Sequence, residues 1–570
     1  MKEQIKQLLE NAIVELKNQE KWPDFDAFEI EVDYPKNEAF GDFTTNVAMN
    51  LGRSLKKNPA EVAKALSLVI GQQSLAKDIF DKVEVVAPGY INFYFSKKYL
   101  QDKVAEINEK REKFGDFESK EKAMVEYSQP NTHKEFHVGH LRNVIIGSTL
   151  VEVLKKAGQV VTAANYIGDT GTHVAKCLWS LEKFYSEKDL DAAENKAEFL
   201  GKAYSRAAEE IENNKEYETE FKALQKEFEG GDEKLTRLWQ KTRQWSLDEF
   251  MRIYDKLGVH FDVFFYESEE EIEGKKMLPE LLKSGVIKKS EGAIIADLEQ
   301  YGLGVLVLQR SDGAALYGLK DIPLAIKKFE EYQIERSVYV VDVRQSLYFD
   351  QLFKILSEIG FKKEMAHVGY DFVTLKDGEG MSSRKGNIVP ANFLMAQVES
   401  RVREKFSNAP SPEGISLGAI KFFMLKYSSK SKIEFDIDES VRLEGSTGPY
   451  VQYAHARICS ILGKAAEQGI DVAGGADLTE LVHEKELMLI RELDKFPLLV
   501  AETAKTYEVH KLPYYAIRLA DKFHSFYNDL KVIDADNLAV TKARLKLIEA
   551  VKIVLQETLR LIGVSAPDRM

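Results

Sequence analysis

The chain has 570 residues, too many for one ordinary hydrophobic core, so we expect three or more domains. A hydrophobic fraction of 44% and a charged fraction of 30% are typical of a globular protein. The net charge of −13 argues against a non-specific nucleic-acid binder, although an acidic protein can still carry a local basic groove.

The cysteines and the N-terminus exclude several other classes of protein. Cys177 and Cys459 lie far apart and lack CxxC spacing, so we expect neither a disulfide framework nor a zinc site. The first 17 residues carry charges throughout and have no continuous apolar core, so we do not expect them to form a secretory signal. Two cysteines without CxxC spacing fit a reducing cytosol, so we expect a cytoplasmic protein. No apolar stretch reaches the roughly 18 residues of a membrane span, so we expect no membrane contact.

Residues 1–115 are predicted to form an N-terminal α/β domain. Apolar residues recur at helical spacing from Ile5 to Leu16. A second helix is indicated after Asn58, an N-cap residue that precedes Pro59 and an acidic first turn. Residues 82–86 and 90–95 alternate between apolar and polar side chains, as half-buried strands do.

A βαβ unit is predicted between residues 123 and 167. Residues 123–128 and 160–167 are predicted strands, and the helix between them begins at about His140 and ends before Gly158. Such a unit favours a doubly wound, Rossmann-like parallel sheet. Residues of about 180–260 are rich in Lys and Glu and predict a helical insertion, after which strands return at 304–309 and 337–343. We therefore expect the insertion to divide one nucleotide-binding domain, residues 116–400, into two halves.

The C-terminal part, residues 401–570, is predicted to be a bundle of helices. Beyond about residue 400 the strand patterns stop, and apolar residues keep helical spacing from Ala516 to Leu530 and from Ile548 to Ile562. The predicted fold class is therefore α/β. It comprises a Rossmann-like parallel-sheet catalytic domain with a helical insertion, an N-terminal α/β domain and a C-terminal all-α helix bundle.

The densest group of chemically useful residues lies before the helix of the βαβ unit. His137 and His140 are three residues apart on one face of the starting helix, and we name this pair the histidine cradle. Gly139 between them permits close approach of a flat ligand. We expect free N–H groups at the helix N-terminus to bind an anion, and both imidazoles to donate hydrogen bonds to phosphate in a transition state. Lys134 adds a cation at the same place.

A second cationic segment occupies residues 380–387, Gly-Met-Ser-Ser-Arg-Lys-Gly-Asn. Its flanking glycines predict a mobile loop, and Arg384 and Lys385 place two positive charges at the tip. Such a loop can close on a triphosphate and neutralise charge that develops during reaction. The sequence has no GxxxxGK[ST] motif, so a P-loop mechanism is not predicted.

These two segments together resemble the HIGH and KMSKS signatures of class I aminoacyl-tRNA synthetases. Three longer segments resemble the arginyl-tRNA synthetase family in particular, namely residues 130–143, 165–172 and 445–457. The predicted order of domains is also similar, so the resemblance covers essentially the whole chain. It implies an enzyme that uses ATP with Mg²⁺, arginine and tRNA(Arg), and we expect it to act as a monomer.

The resemblance also implies an arginine pocket. Glu267, Tyr317 and Asp321 match positions that hold the guanidinium, and we name the pair of carboxylates Glu267 and Asp321 the acidic slot. A guanidinium is a planar, charged fork of five donors, which suits carboxylates together with a neutral acceptor. Asn131 and Gln345 match positions that contact the α-amino end of the substrate. The implied ATP-binding residues are His137, Gly139, His140, His367, Met381 and Ser382, with His367 bordering the adenine.

The sequence departs from the family pattern at three positions. Glycine and serine stand at positions 380 and 383, where the KMSKS pattern has lysines. The resemblance therefore implies that Arg384, Lys385 or Lys134 supplies the charge during catalysis, and the sequence leaves the choice open. His173 stands where the family usually has glutamine, and no role is predicted for it.

Two other functions are compatible with parts of the sequence. A small-molecule nucleotidyltransferase or ligase of the same HxGH fold would act without tRNA and would leave the helix bundle unexplained. A non-catalytic synthetase-like binding protein would be expected to have lost pocket residues, whereas the candidate side chains are retained. Exchange of pyrophosphate into ATP, measured with and without tRNA, separates these functions.

Overall fold

A computed structural model describes residues 1–25, 29–376, 389–407, 409–471 and 474–570. They divide into two units. The first contains residues 1–115, 454–499 and 518–557, and the second contains residues 116–453, 500–517 and 558–570. Among the residues described, no helix has the length and apolar character needed to cross a bilayer. The functional division of the chain at about residues 115 and 400 stays a prediction.

The first unit begins with a small α/β arrangement. Its helices are α1 (Lys2–Asn18), α2 (Val47–Leu55), α3 (Pro59–Ile70), α4 (Ser74–Ile79) and α5 (Lys97–Lys110), and its strands are β1 (Phe43–Thr45), β2 (Phe80–Val86) and β3 (Tyr90–Phe95). The strands form an antiparallel sheet in the order β1-β3-β2. The predicted start of α3 is confirmed, because Asn58 Oδ1 accepts a hydrogen bond from the backbone N–H of Ala60 at 2.9 Å.

The second unit contains the remaining strands. They are β4 (Lys122–Glu126), β5 (Val160–Ile167), β6 (Val263–Tyr266), β7 (Ile287–Ser290), β8 (Ala293–Asp297), β9 (Val305–Gln309), β10 (Arg336–Asp342), β11 (Glu364–Tyr370), β12 (Val373–Leu375) and β13 (Ile433–Phe435). Five of them form the central sheet in the order β11-β10-β4-β5-β6, with every neighbouring pair parallel. The middle strands β4 and β10 are buried along most of their length, as expected for a sheet covered on both faces.

Helices connect these strands and follow them. They are α6 (Val138–Lys156), α7 (Thr172–Phe184), α8 (Glu187–Ala192), α9 (Lys196–Asn213), α10 (Lys215–Glu229), α11 (Glu233–Leu257), α12 (Glu267–Lys283), α13 (Tyr317–Tyr332), α14 (Ser346–Glu358), α15 (Ala391–Lys405), α16 (Pro412–Leu425) and α17 (Ile437–Ser440). The C-terminal helices are α18 (Gly448–Glu467), α19 (Glu484–Asp494), α20 (Phe496–Thr506), α21 (Lys511–Asp529) and α22 (Leu538–Leu561). The predicted fold class and the helical insertion between β5 and β6 are confirmed.

Two predictions about strands are wrong. The segment at 304–309 does not belong to the central sheet: β9 pairs with β8 in a separate antiparallel sheet of order β7-β8-β9. Val305 and Val307 on it are exposed, which an antiparallel edge strand tolerates and a buried parallel strand does not. Strands also do not stop at residue 400, because β13 pairs with β12 in parallel. At three residues, β13 is too short to give a readable alternation.

Candidate functional site

The predicted site residues gather at the edge of the central sheet where its parallel strands end. The loop that leads to the histidine cradle follows β4, Gly168 directly follows β5, and Glu267 directly follows β6. Gln345 lies three residues beyond the end of β10 on the other side of β4. The chain order therefore reverses between β4 and β10, and ligands of open α/β sheets bind at such a switch point, outside the carboxyl ends of the strands.

The histidine cradle lies at the first turn of α6. His137 is the N-cap residue, and its Nδ1 accepts hydrogen bonds from the backbone N–H groups of Gly139 (3.1 Å) and His140 (3.4 Å). His140 Nδ1 in turn accepts from the backbone N–H of His137 (3.3 Å), which completes a capping box made of two histidines. The two rings stack with their centroids 3.7 Å apart. The spacing of neighbouring residues therefore fixes the orientation of both imidazoles.

Burial sets the protonation state of both rings, and the hydrogen bonds to Nδ1 set their tautomer. Burial lowers the pKa of His137 to about 4 and holds the pKa of His140 well below its ordinary value, with smaller contributions from nearby positive charges. Both rings are therefore neutral near pH 7. Because each Nδ1 accepts a backbone N–H, the ring proton lies on Nε2, and each imidazole keeps one Nε2–H donor for a ligand.

The expected free backbone N–H groups at this helix end are not available. The N–H of Val138 donates to the carbonyl of Val389 at 2.9 Å, and the N–H groups of Gly139 and His140 donate to His137. The prediction of a helix-amide anion site is therefore wrong, because a histidine occupies the N-cap and uses these donors itself. Any phosphate recognition by the cradle rests on the two Nε2–H groups.

The chain that follows residue 388 returns to the cradle. The N–H of Ala391 donates to the carbonyl of Phe136 at 2.9 Å, and Pro390 forms a bridge with His137. The candidate residues that lie outside the described residues are Met381, Ser382, Arg384 and Lys385. Their roles stay predictions.

Lys134 acts electrostatically on the two rings of the cradle and on His173. The positive charge of Lys134 lowers the pKa of His137, of His140 and of His173. His173 hydrogen-bonds to the backbone of Gly168, and its Nε2 is buried without a hydrogen-bond partner among the described residues. Burial, together with the positive charges of Lys134 and Lys320, lowers the pKa of His173 to about 4. The residue for which the sequence predicted no role therefore lies inside the candidate site as a neutral ring.

Gly168 brings Asn131 and Glu267 together. A Cβ at position 168 would lie 2.2 Å from Asn131 Oδ1, so no larger residue fits without displacing Asn131, and 3.5 Å from Glu267 Oε2, which is ordinary contact. Asn131 forms a parallel bridge with Gly168, and the N–H of Thr132 donates to the Gly168 carbonyl at 2.9 Å. The missing side chain thus lets the candidate amide and the candidate carboxylate approach one another.

Glu267, the first member of the acidic slot, begins α12 and is 8% exposed. Its Oε1 accepts a hydrogen bond from Lys320 Nζ at 3.0 Å, and the same ammonium pairs with Glu271 at 3.0 Å. Burial raises the pKa of Glu267, and Lys320 opposes that effect. Glu271 also pairs with Lys275 at 2.7 Å, so Lys320 is the cation that balances Glu267, and it bonds Glu267 through Oε1.

Asp321, the second member of the acidic slot, lies in the second turn of α13. Tyr348 of α14 donates a hydrogen bond to its Oδ2 at 2.5 Å. Its Oδ1 is buried and has no hydrogen-bond partner among the described residues. Burial raises the pKa of Asp321 to about 7. A buried acceptor without a donor is costly, so the carboxylate is suited to a donor that a ligand brings.

Three further predicted residues surround the slot and the sheet edge. Tyr317 begins α13 and is 66% exposed, and Gln345 is exposed in the turn after β10. His367 lies on β11, where its ring stacks on Phe349 with centroids 4.6 Å apart. Its Nε2 lies 3.1 Å from the carbonyl of Val341, so it presents a ring face and not a free donor.

Helix α11 of the insertion contacts the segment beside the acidic slot. Trp239 Nε1 donates to the backbone carbonyl of Asp169 at 2.8 Å, and Arg243 Nε donates to its fully buried carboxylate at 2.7 Å. That carboxylate also accepts from the N–H (2.9 Å) and the hydroxyl (2.8 Å) of Ser268, the residue after Glu267. Arg243 and Asp169 thus fix the N-terminus of α12.

The same helix also holds the loop before the cradle. Thr242 Oγ1 lies 2.8 Å from His133 Nε2, and Ser246 Oγ accepts from the His133 N–H at 2.9 Å. The polar residues at positions 239, 242, 243 and 246 follow the spacing of one helix face, and that stripe is the signal in the sequence by which they are recognisable. No role was predicted for this face from the sequence.

Three protein-family profiles match successive parts of the chain. "Arginyl tRNA synthetase N terminal domain" matches residues 2–95, "tRNA synthetases class I (R), catalytic domain" matches residues 99–412, and "DALR anticodon binding domain" matches residues 451–570.

Individual proteins match over the whole length. A protein of Bdellovibrio bacteriovorus named arginine–tRNA ligase is 36% identical in an alignment of 580 positions that covers 96% of each chain. One of Clostridioides difficile with the same name is 32% identical over 97% of this chain and 98% of its own. The solved structure of Thermus thermophilus arginyl-tRNA synthetase superposes with a TM-score of 0.83 at 25% identity, and all of both chains is covered. This chain therefore belongs to the arginyl-tRNA synthetase family of class I.

Proposed function

We propose that this enzyme activates arginine with MgATP to arginyl-adenylate and then transfers the arginyl group to the 3′ end of tRNA(Arg). One observation carries the proposal: the loop that leads to the histidine cradle follows β4, Gly168 follows β5 and Glu267 of the acidic slot follows β6, so both sites lie at the carboxyl edge of one parallel sheet. A phosphate site at the same sheet edge as an anionic slot suits a substrate pair of ATP and a cationic amino acid.

In the first step, the arginine carboxylate attacks the α-phosphorus of ATP and pyrophosphate leaves. The Nε2–H groups of His137 and His140 donate to phosphate oxygens as charge develops. Neutral rings suit this task because their protonation state does not change near pH 7. Lys134 adds positive charge, as do Arg384 and Lys385 of the second motif. His367 and Gly139 border the nucleotide, together with Met381 and Ser382.

Arginine is held by its guanidinium in the acidic slot. Glu267 accepts the guanidinium as a second cation beside Lys320, and the open Oδ1 of Asp321 accepts a further N–H. Tyr317 supplies a neutral acceptor at the rim, and Asn131 and Gln345 receive the α-amino end. A lysine ammonium lacks the planar fork and would leave buried acceptors without donors, which gives strong discrimination.

The remaining parts of the chain are proposed to bind tRNA. Residues 401–570 would read unpaired bases of the anticodon region by stacking and hydrogen bonds, which the match of residues 451–570 to an anticodon-binding profile supports. Residues 1–115 would contact another part of the tRNA body. We propose that the enzyme works as a monomer in the cytoplasm, where translation takes place.

Exchange of labelled pyrophosphate into ATP tests the first step. Each of the twenty amino acids is supplied in turn, with and without tRNA. We expect exchange with arginine, dependent on tRNA as in the family, and background exchange with lysine. Strong exchange with another amino acid would remove the assigned specificity, and exchange without any amino acid would indicate a different nucleotidyltransferase.

A further inference from the structure

Tyr348 contacts the acidic slot through Asp321, and neither the sequence motifs nor the family resemblance singled it out. We propose that Tyr348 is a positioning residue: it holds one oxygen of Asp321 so that the other faces the guanidinium, and it couples arginine binding to loss of the carboxyl proton. The inference rests on the proposed function, because it assigns the partner of Asp321 to the guanidinium of arginine.

The geometry leaves the two oxygens of Asp321 in different states. Oδ2 accepts the hydroxyl of Tyr348 at 2.5 Å, whereas the buried Oδ1 has no partner in the part of the chain that the structure describes. Burial and the nearby carboxylate hold the pKa of Tyr348 well above its usual range, so its hydroxyl remains a donor at every physiological pH. One oxygen is thus permanently occupied and one is open.

The cations near Asp321 are already paired with other carboxylates. Lys328 is fully buried and ion-pairs with Glu126 of β4, and Lys320 pairs with Glu267 and Glu271. Within the described residues, no basic side chain forms an ion pair with Asp321. Its charge is therefore stabilised by the hydrogen bond from Tyr348, by Lys328 without an ion pair, and by a ligand.

The other groups that act on Asp321 determine when it ionises. Burial raises its pKa to about 7, and the hydrogen bond from Tyr348 is the largest opposing influence. The titratable and charged groups around it are Glu126 on β4, Tyr166 on β5, Glu267 on α12, Tyr317 and Lys328 on α13, Tyr339 on β10 and Tyr348 on α14. The carboxylates oppose ionisation, and Lys328 favours it.

The consequence is a link between arginine binding and pH. A guanidinium binds the ionised carboxylate, so below pH 7 arginine must first displace a proton, and its affinity falls as the pH falls. Removing the hydroxyl of Tyr348 removes a stabiliser of the ionised form and raises the pKa of Asp321 further. The pH at which arginine binding becomes strong should then move upward.

The test is the pH dependence of the KM for arginine in the full-length enzyme with saturating MgATP and tRNA. For Tyr348→Phe we expect the break in the profile to move up by about one to two pH units, the effect of losing a hydrogen bond to a charged group. The KM should rise about tenfold or more near pH 7 and approach the wild-type value near pH 9, while kcat at saturating arginine stays within about twofold.

Tyr332→Phe is the matched control. Tyr332 is a partly buried tyrosine at the last residue of α13, the helix that carries Asp321, and the charged groups that act on its pKa are Glu331, Lys327 and Glu270. We expect it to keep the wild-type profile. A Tyr348→Phe profile that overlays this control, or a KM raised equally at every pH, would overturn the positioning role.

A second variant covers the case in which Tyr348→Phe does not fold. Incorporation of 3-fluorotyrosine at position 348 keeps the shape and strengthens the donor, so the break should move to lower pH. An unchanged or opposite shift would contradict the proposal.

Asp321→Asn separates this inference from the proposed function. If Asp321→Asn keeps the wild-type KM for arginine, the pocket assignment itself fails. If Asp321→Asn raises the KM and abolishes the break while the changes at Tyr348 do nothing, only the role of Tyr348 fails. In the Asp321→Asn background, Tyr348→Phe should add no further dependence on pH.

Discussion

The histidine cradle and the acidic slot meet at one sheet edge but are built in different ways. The cradle is made by residues within one helical turn: His137 and His140 cap each other's backbone and stack. The acidic slot takes its two carboxylates from α12 and α13. Their charges are set by burial and by partners on α13 and α14 that lie far away in the sequence.

The comparison predicts different behaviour in the two regions. The cradle holds neutral donors whose state does not change near pH 7, so it should affect the rate of activation. The slot holds an anion that is close to its titration point, so it should affect arginine affinity and depend on pH. A cradle variant that changes the KM for arginine, or a slot variant that changes only kcat, would contradict this comparison.

The largest effect is expected for Asp321→Ala. Loss of one partner of a buried charge pair costs about 2–5 kcal/mol, so the KM for arginine should rise by about 1,000-fold while the fold is kept. Initial rates of pyrophosphate exchange at increasing arginine concentrations measure this. Asp312→Ala, at an exposed residue paired with Arg310, serves as control and should leave the KM unchanged. Normal charging of tRNA by Asp321→Ala would mean that the slot is wrongly assigned.

His140→Ala should have the next largest effect, and it should change kcat for activation and not the KM for arginine. Loss of one donor to a developing charge typically lowers the rate about 100-fold or more, so kcat for activation should fall by about that factor. The KM for arginine should change by less than about twofold, because the slot is untouched. His260→Ala, which removes an exposed histidine, provides the comparison. An unchanged kcat in His140→Ala would remove the cradle from the chemistry.

The pH profile of the wild-type enzyme sharpens the contrast. Because the pKa of Asp321 is raised to about 7 and arginine binds its ionised form, the KM for arginine should rise about tenfold per pH unit below pH 7 and level off above it. The cradle should cause no fall in kcat over the same range, since the pKa of His137 is lowered to about 4. Steady-state kinetics from pH 5.5 to 9 give both curves. A flat KM would contradict the charge state assigned to the slot.

The smallest effect separates the structural and chemical roles of His137. His137→Ala removes the N-cap of α6 and should lower the free energy of unfolding by about 1 kcal/mol, whereas His137→Asn keeps a capping acceptor and should restore most of it. Neither variant keeps the Nε2–H donor, so both should lose activation rate. Chemical denaturation and exchange assays on the same preparations distinguish the two roles. Recovery of both stability and rate in His137→Asn would reduce His137 to a cap.

The sequence predictions of secondary structure succeeded where the signal is local and failed where it depends on distant segments, which is the same difference that separates the cradle from the slot. Strands β5 and β10 and the start of α3 were predicted because alternation and capping are local signals. The four-residue strand β6 was missed, and the strand at 304–309 was assigned to the wrong sheet. Short strands carry little periodicity, and pairing depends on segments that are remote in the chain.

By itself, the sequence determined the βαβ frame, the helical insertion, the paired histidines at the start of α6 and the motifs that identify the family, since these depend on spacings of a few residues. Only the tertiary structure decided that the amides of α6 are already used, that Tyr348 occupies one oxygen of Asp321, that Lys320 serves two carboxylates and that one face of α11 supports both halves of the site. The physical reason is that burial and the pairing of charges arise between elements tens to hundreds of residues apart, and no local pattern specifies them.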